Sequence, residues 1–308
     1  MCKKYILIKC FVLLLSLPAL AQIAVVDDSG RTIVLEAPAQ RILALAPHVT
    51  ENLFSIGAGD LVVGTVSYSD YPPEALAIPR IGNYERLSLE QALALEPDLA
   101  IAWPPGNDAV QLQRLRDFGI PVFESDPNSF ATIAGELRRL GRLTGRDQAA
   151  GQVAKELEAG VEKLAVRHRN APPLRVFYQL WHEPLMTVNG SQLVDRMLQL
   201  CGGVNPFAGR PEAAPGLGVE AVLAASPDVI VTTTEEAPAN WRERWRRWPQ
   251  LPAVQHDLFY QLEADWMHRA TVRALYGAQQ LCRDLDDARA RLGLERAADP
   301  HQATEEGD

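Results

Sequence analysis

Basic residues are in deficit: 30 Lys and Arg stand against 39 Asp and Glu, a formal net charge of -9 over 308 residues. A surface of that sign repels a phosphate backbone, so nucleic acid is excluded as a natural partner. Sequence motifs of the common catalytic sites are missing as well. There is no Gly-rich phosphate loop, no Gly-x-Ser-x-Gly elbow and no His-Glu-x-x-His pair, so no nucleophile is set beside a base and no cofactor cradle is legible. Asp265 and His268 stand close together, but a loop pair is weak evidence of catalysis. The expectation is a protein that binds and does not react. Cysteine is scarce, with four in all, and Cys2 and Cys10 fall near the N-terminus.

Lys3, Lys4 and Lys9, the apolar run Phe11 to Leu17 and the small-residue site Ala19-Leu20-Ala21 form the three parts of a cleavable secretory signal, its core too short to span a bilayer. No Cys follows the cleavage site, so a released protein starting near Gln22 is expected, after a mobile mature start up to Arg41. Loss of the three Lys moves the net charge from -9 to -12. Only Cys201 and Cys282 remain. In an oxidising compartment the pair suggests one disulfide, worth roughly 4 to 5 kcal/mol on a chain-entropy view, against the alternative of two separate buried thiols.

One unit occurs twice. Leu89-Glu90-Gln91-Ala92-Leu93-Ala94 through Pro97-Asp98 into Leu99-Ala100-Ile101 is echoed 130 positions later by Val219-Glu220-Ala221-Val222-Leu223-Ala224 through Pro227-Asp228 into Val229-Ile230-Val231. Each copy predicts a short helix stopped by Pro and then a buried parallel strand. The fold class is therefore α/β, with two Rossmann-like lobes of mostly parallel sheet. Strands are expected at Arg41–Ala46, Leu61–Val66, Asp98–Ala102 and Pro121–Glu124 in the first lobe (22–144), and at Arg175–Leu180, Val229–Thr233 and Leu258–Leu262 in the second (171–292). Helices are expected at Val49–Ile56, Ser129–Leu143, Leu193–Leu200 and Thr271–Leu292. The helix Asp147 to His168, within 145–170, carries one apolar stripe and reaches roughly 30 Å, a rigid strut between lobes. Residues 293–308 are polar and unpatterned, a disordered tail.

Ligands of open parallel sheets bind at the carboxyl ends of the strands. Here Tyr68, Trp103, Trp181 and Trp266 follow four strands, and Tyr84 precedes the first repeat. A single aromatic in such a place is commonly a loop anchor, but four strand ends alike argue for a cleft that takes a large, flat, partly apolar ligand. Trp241, Trp245 and Trp248 are spaced as one buried face, with Arg242, Arg244, Arg246 and Arg247 as its solvated side. His48, His182 and His268 also lie near strand ends. Convergence on a metal is the minority expectation, since a loop His is usually solvated.

Ser67-Tyr68-Ser69-Asp70-Tyr71-Pro72-Pro73, Ile101-Ala102-Trp103, Cys201-Gly202-Gly203, Ser226-Pro227-Asp228 and Asp265-Trp266 through Arg269, in this order, resemble the periplasmic cobalamin-binding proteins of ABC importers from about Arg41 to Arg283. The resemblance implies a periplasmic, monomeric solute-binding protein that holds a corrinoid between its lobes and delivers it to membrane-spanning permease subunits. It implies ligand contacts from Tyr68, Tyr84 and Trp103 in the first lobe and from Asp265, Trp266 and Arg269 in the second. It also implies docking by one acidic residue per lobe, the matched pair Glu90 and Glu220, which equally suit helix starts. Two places depart from the family: Ala213-Ala214-Pro215-Gly216 lacks the Trp that can stand there, and Met186 replaces an aromatic, with Trp181 as the neighbouring substitute. Relatives on the same scaffold bind ferric siderophores, haem or free metal ions, and these stand as the alternative ligands.

Overall fold

The computed structural model describes residues 22–83, 85–234 and 238–294. The expected leader over 1–21, Tyr84 and the tail from 295 onward lie outside them. The segment from Gln22 to Arg41, expected to be mobile, is ordered into strands. It forms an antiparallel pair, β1 (Ile23–Val26) and β2 (Thr32–Leu35). Val25, Ile33 and Leu35 are buried in the main core, and Asp27 closes the turn by accepting from the backbone N–H groups of Ser29 and Arg31 at 3.0 and 2.8 Å. Four residues of alternation were too short a signal against the polar turn between them.

The first lobe continues with β3 (Ile42–Ala44), α1 (Pro47–Ser55), β4 (Val62–Thr65), α2 (Leu89–Ala94), β5 (Leu99–Ala102), α3 (Ala109–Asp117) and β6 (Val122–Glu124). Its sheet is parallel, in the order β4-β3-β5-β6. Two helices follow. In α4 (Phe130–Thr144), Ser129 and Thr132 form a reciprocal capping box at the start, and Gly145 takes a left-handed φ of 69° at the end, both signals that favour helix termini. Then α5 (Asp147–His168), about 33 Å long at 1.5 Å per residue, leads to the second lobe.

That lobe comprises β7 (Leu174–Tyr178), a small hairpin of β8 (Trp181–His182) and β9 (Leu185–Met186), α6 (Leu193–Leu200), β10 (Gly203–Val204), α7 (Val219–Ala225), β11 (Val229–Thr233), α8 (Trp241–Trp245), α9 (Pro252–Gln255), β12 (Phe259–Leu262), α10 (Ala264–His268) and α11 (Ala274–Arg291). Its parallel sheet runs β10-β7-β11-β12. Counted in chain order within each four-stranded sheet, both have the sequence second, first, third, fourth. The repeat is thus the α2–β5 unit in one lobe and the α7–β11 unit in the other.

The copies agree in detail. Glu96 and Ser226, each just before the repeated Pro, both have φ 46°, a left-handed turn that ends the helix. The repeated Asp then fastens the strand to the lobe's first strand. Asp98 accepts from the backbone N–H groups of Gln40 and Arg41 at 2.7 and 3.0 Å, and Asp228 from that of Arg175 at 2.8 Å.

A continuous core runs from β3 and α1 through α4 and α5 into α6 and α11, so one face of each sheet is packed into a shared interior. The opposite faces carry separate clusters, one around Leu43, Leu45 and Leu115 and the other around Phe177, Trp241 and Trp245. Trp241 and Trp245 are buried, as their spacing implied. The helix ends at Trp245, so half-buried Trp248 comes from the turn that follows. Cys201 and Cys282 form a disulfide joining the end of α6 to α11, both buried. The last helix begins at Ala274, later than the expected Thr271, because Thr271 turns its hydroxyl to the backbone N–H of Arg273 at 3.2 Å. No described helix is long and apolar enough to cross a membrane.

Candidate ligand cleft

The loops that leave β4 and β12 at their carboxyl ends meet each other, so these two carboxyl edges face across one seam. The contacts are ionic. Glu51 of α1 accepts from Nε and Nη2 of Arg273 at 2.7 and 2.6 Å. Arg269 pairs with Asp70 of the first lobe at 2.9 Å and with Asp265 of its own α10 at 2.8 Å. Arg273 also reaches Asp265 at 3.4 Å and lies 3.7 Å over the ring of Tyr71, while Asn52 donates to the carbonyl of Ala270 at 3.0 Å. The Glu51 side chain is 1% exposed and that of Arg273 11%. A planar fork on a carboxylate is the geometry in which such burial is tolerated.

On the first lobe, Tyr68 stands 70% exposed after β4, with φ 66°. Trp103, half-buried after β5, donates its indole N–H to Asp126 at 3.3 Å and meets the edge of His48 with ring centres 6.0 Å apart. His48 is buried at the start of α1, its Nε2 3.3 Å from the hydroxyl of Ser125. Burial first, and then the charge of Arg269, lower its pKa to about 4, so it is neutral at neutral pH. Behind it lies Glu136 of α4, fully buried and 3.5 Å from Asn52. Burial pushes its carboxyl up to about 8, against the lowering effect of a hydrogen bond with Ser125.

On the second lobe, Trp181 is 40% exposed, donates its indole N–H to the carbonyl of Glu183 at 3.1 Å and lies over His182. Trp266 is half-buried with its ring against Tyr276 of α11. Met186 and Gly216 form a β-bridge, so the two places where the family pattern is broken are neighbours on this lobe. Glu90 and Glu220 are exposed in the first turns of α2 and α7.

The structure therefore joins Asp265 and Arg269 directly, and His48 with Trp103. The three histidines are not joined. His48 faces Ser125, His182 faces Trp181, and His268 bonds the hydroxyl of buried Tyr178 at 2.7 Å. Among the described residues no group of three or more His, Cys, Asp or Glu is placed to hold a metal ion. Sequence reasoning missed Glu51, Asn52 and Arg273. The available signal was polar residues set among Val49, Leu53 and Ile56 of α1, where only apolar ones are needed to pack.

The sequence profile of the family described as periplasmic binding protein matches residues 42–266. The chain belongs to this family. A vitamin B12-binding protein of Vibrio cholerae is 37% identical over 246 residues, 80% of this chain and 88% of that protein. One from Photorhabdus laumondii is 35% identical over 253 residues, 82% of this chain and 90% of that protein. The crystal structure of the periplasmic vitamin B12-binding protein BtuF of Vibrio cholerae has a TM-score of 0.76 at 37% identity, covering 82% of this chain and 98% of that one. A periplasmic haem-binding protein from Roseiflexus follows the same fold with a TM-score of 0.71 at 25% identity, covering 81% of this periplasmic binding protein and 99% of its own chain.

Two expected outcomes follow from the seam. Glu51→Ala or Arg273→Ala each strands a buried charge and should cost about 3 to 5 kcal/mol, while the double variant loses much less than the sum. Denaturant unfolding of the four proteins measures this, and additive losses would mean the pair is not coupled. The second outcome concerns pH. A carboxyl whose folded pKa is raised contributes stability that is present at low pH and lost as pH rises. His48, lowered instead, has its effect only between pH 4 and 6.5. Above that window Glu136 acts alone, and the protein should lose about 2 kcal/mol between pH 6.5 and 8. Glu136→Gln should hold its stability level across the same interval. A wild-type protein with no decline there contradicts a raised Glu136.

Proposed function

We propose that this periplasmic binding protein captures a corrinoid of the vitamin B12 type in its inter-lobe cleft, holds it without chemical change and hands it to an ABC importer. The observation that carries the proposal is a set of aromatic faces at the carboxyl ends of strands in both lobes, Tyr68 and Trp103 on one and Trp181 and Trp266 on the other, in a chain whose curated relatives at 31 to 37% identity share the name vitamin B12-binding protein. Such faces suit a flat macrocycle fringed with neutral amides, because stacking and area burial need no formal charge. Tyr84 is assigned to the same set, with Asp265 and Arg269 as the polar contacts. In this proposal residues 22–144 and 171–292 act as two jaws on the strut 145–170, and the protein works as a monomer in the periplasm once residues 1–21 are removed.

Haem is the second ligand to weigh, since haem-binding proteins share the scaffold at 20 to 25% identity. Titration of the purified protein with cyanocobalamin and with haemin, followed by tryptophan quenching or calorimetry, separates the two. Sub-micromolar corrinoid binding is expected, weakened by roughly 1 to 3 kcal/mol in Trp103→Ala through lost stacking and buried area. Tight haemin binding with no response to cyanocobalamin would sink the corrinoid assignment.

Glu90 and Glu220, exposed and matched by the repeat, are assigned to docking on the permease subunits. Replacing both with Ala should leave corrinoid affinity unchanged, while association with the importer in proteoliposomes falls by roughly 2 to 5 kcal/mol for each desolvated pair that is broken. Wild-type association by the double variant would reduce them to helix-start residues.

A further inference from the structure

The hairpin of β8 and β9 stands at the second lobe's cleft rim, where Trp181 pairs with Met186 and His182 with Leu185. The ring of Trp181, assigned above to the corrin ring, lies 5.3 Å from that of His182. Of the four, His182 and Leu185 line the pocket beyond the hairpin, and Trp181 and Met186 do not. Behind His182 is a pocket of about 110 Å³, walled by Trp241, Trp245 and Trp248 and edged by Arg244 and Arg247. At about 30 Å³ per water, it holds three or four waters or one small anionic group.

Its charge is unusual for this protein. The chain carries a net charge of -9, yet two guanidinium groups border one small cavity. Arg246, which does not line it, is taken up by Asp257 at 3.1 Å and Glu243 at 3.5 Å. Arg244 has only Glu183 at 4.0 Å, and Arg247 is exposed with no hydrogen bond or ion pair among the described residues. The walls are fixed from behind: Trp245 donates to Gln179 at 2.7 Å and packs on Phe177. Two guanidinium groups on a rigid aromatic wall match an oxyanion with several acceptor oxygens.

We infer that this pocket takes the phosphodiester of the corrinoid's nucleotide tail, and that Arg244 and Arg247 make the protein prefer complete corrinoids to ones without the tail. The inference rests on the corrinoid assignment above. The phosphodiester is the one formally anionic substituent of a cobalamin; the ring's other side chains are neutral amides. A ring lying against Trp181 would pass its tail along the hairpin, past His182, into the pocket.

The test compares cyanocobalamin with dicyanocobinamide, which lacks the nucleotide tail, on wild-type protein, Arg247→Gln and the double variant Arg244→Gln/Arg247→Gln, with thermal unfolding to confirm that each folds. The wild type should bind cyanocobalamin more tightly than dicyanocobinamide. The double variant should lose about 10-fold or more in cyanocobalamin affinity and less than about 2-fold in dicyanocobinamide affinity, as expected for hydrogen bonds to a charged group. Arg247→Gln, at an exposed position, should fall between. The preference should shrink with added salt, because exposed guanidinium groups are screened. Equal affinity of the wild type for both corrinoids, or equal losses for both in the variants, overturns the pocket's role while the corrinoid assignment stands. Intact cyanocobalamin affinity with lost importer association would give the pocket to a carboxylate of the permease and overturn it too. Failure of the wild type to bind either corrinoid overturns both proposals.

Discussion

Glu51 and Arg273 meet at 2.6 and 2.7 Å in a seam almost closed to water, and the geometry of the cleft depends on that contact. Burial of a carboxylate and a guanidinium so far out of water is tolerated because each satisfies the other's hydrogen bonds. Their positions on α1 and at the start of α11 are thereby locked, and with them the distance between the lobes at this end. Arg269, Asp70 and Asp265 extend the network towards the open edge, where Asp70 and Asp265 are more accessible. Rigidity at the base and exposure at the rim suit a protein that must present a preformed surface and still let a ligand reach it.

The lobes are held together in a second way, by apolar packing. The shared core runs unbroken through α4, α5, α6 and α11, so a hinge motion about α5 would have to expose apolar surface. This sets the family fold apart from two domains on a flexible linker. The disulfide at Cys201 and Cys282 secures the same region within the second lobe, between α6 and α11.

Charge at the cleft is arranged by burial. His48 beside Trp103 is kept neutral and Glu136 behind it has its carboxyl pushed up to about 8. Around His48 the first lobe therefore presents an aromatic and hydroxyl-bearing floor at neutral pH, with the carboxylate of Asp126 on the indole N–H of Trp103. A large ligand with neutral edges meets little desolvation cost on such a floor.

Much of this was legible in the chain itself. The repeat through Pro97-Asp98 and Pro227-Asp228 implied two lobes of one topology, because Pro stops a helix and the apolar run after it suits a buried parallel strand. The apolar stripe along α5 marked the strut, since periodicity is a local property. Spacing alone also assigned Trp241 and Trp245 to a core. Three things were decided only in the folded chain. β1 and β2 formed because distant residues of the first lobe cover Val25, Ile33 and Leu35. The three histidines went to separate partners. Glu51 found Arg273, 222 positions away, and nothing in either segment announces the other, because an ion pair between lobes is set by where two helices end in space and leaves no periodic trace in sequence.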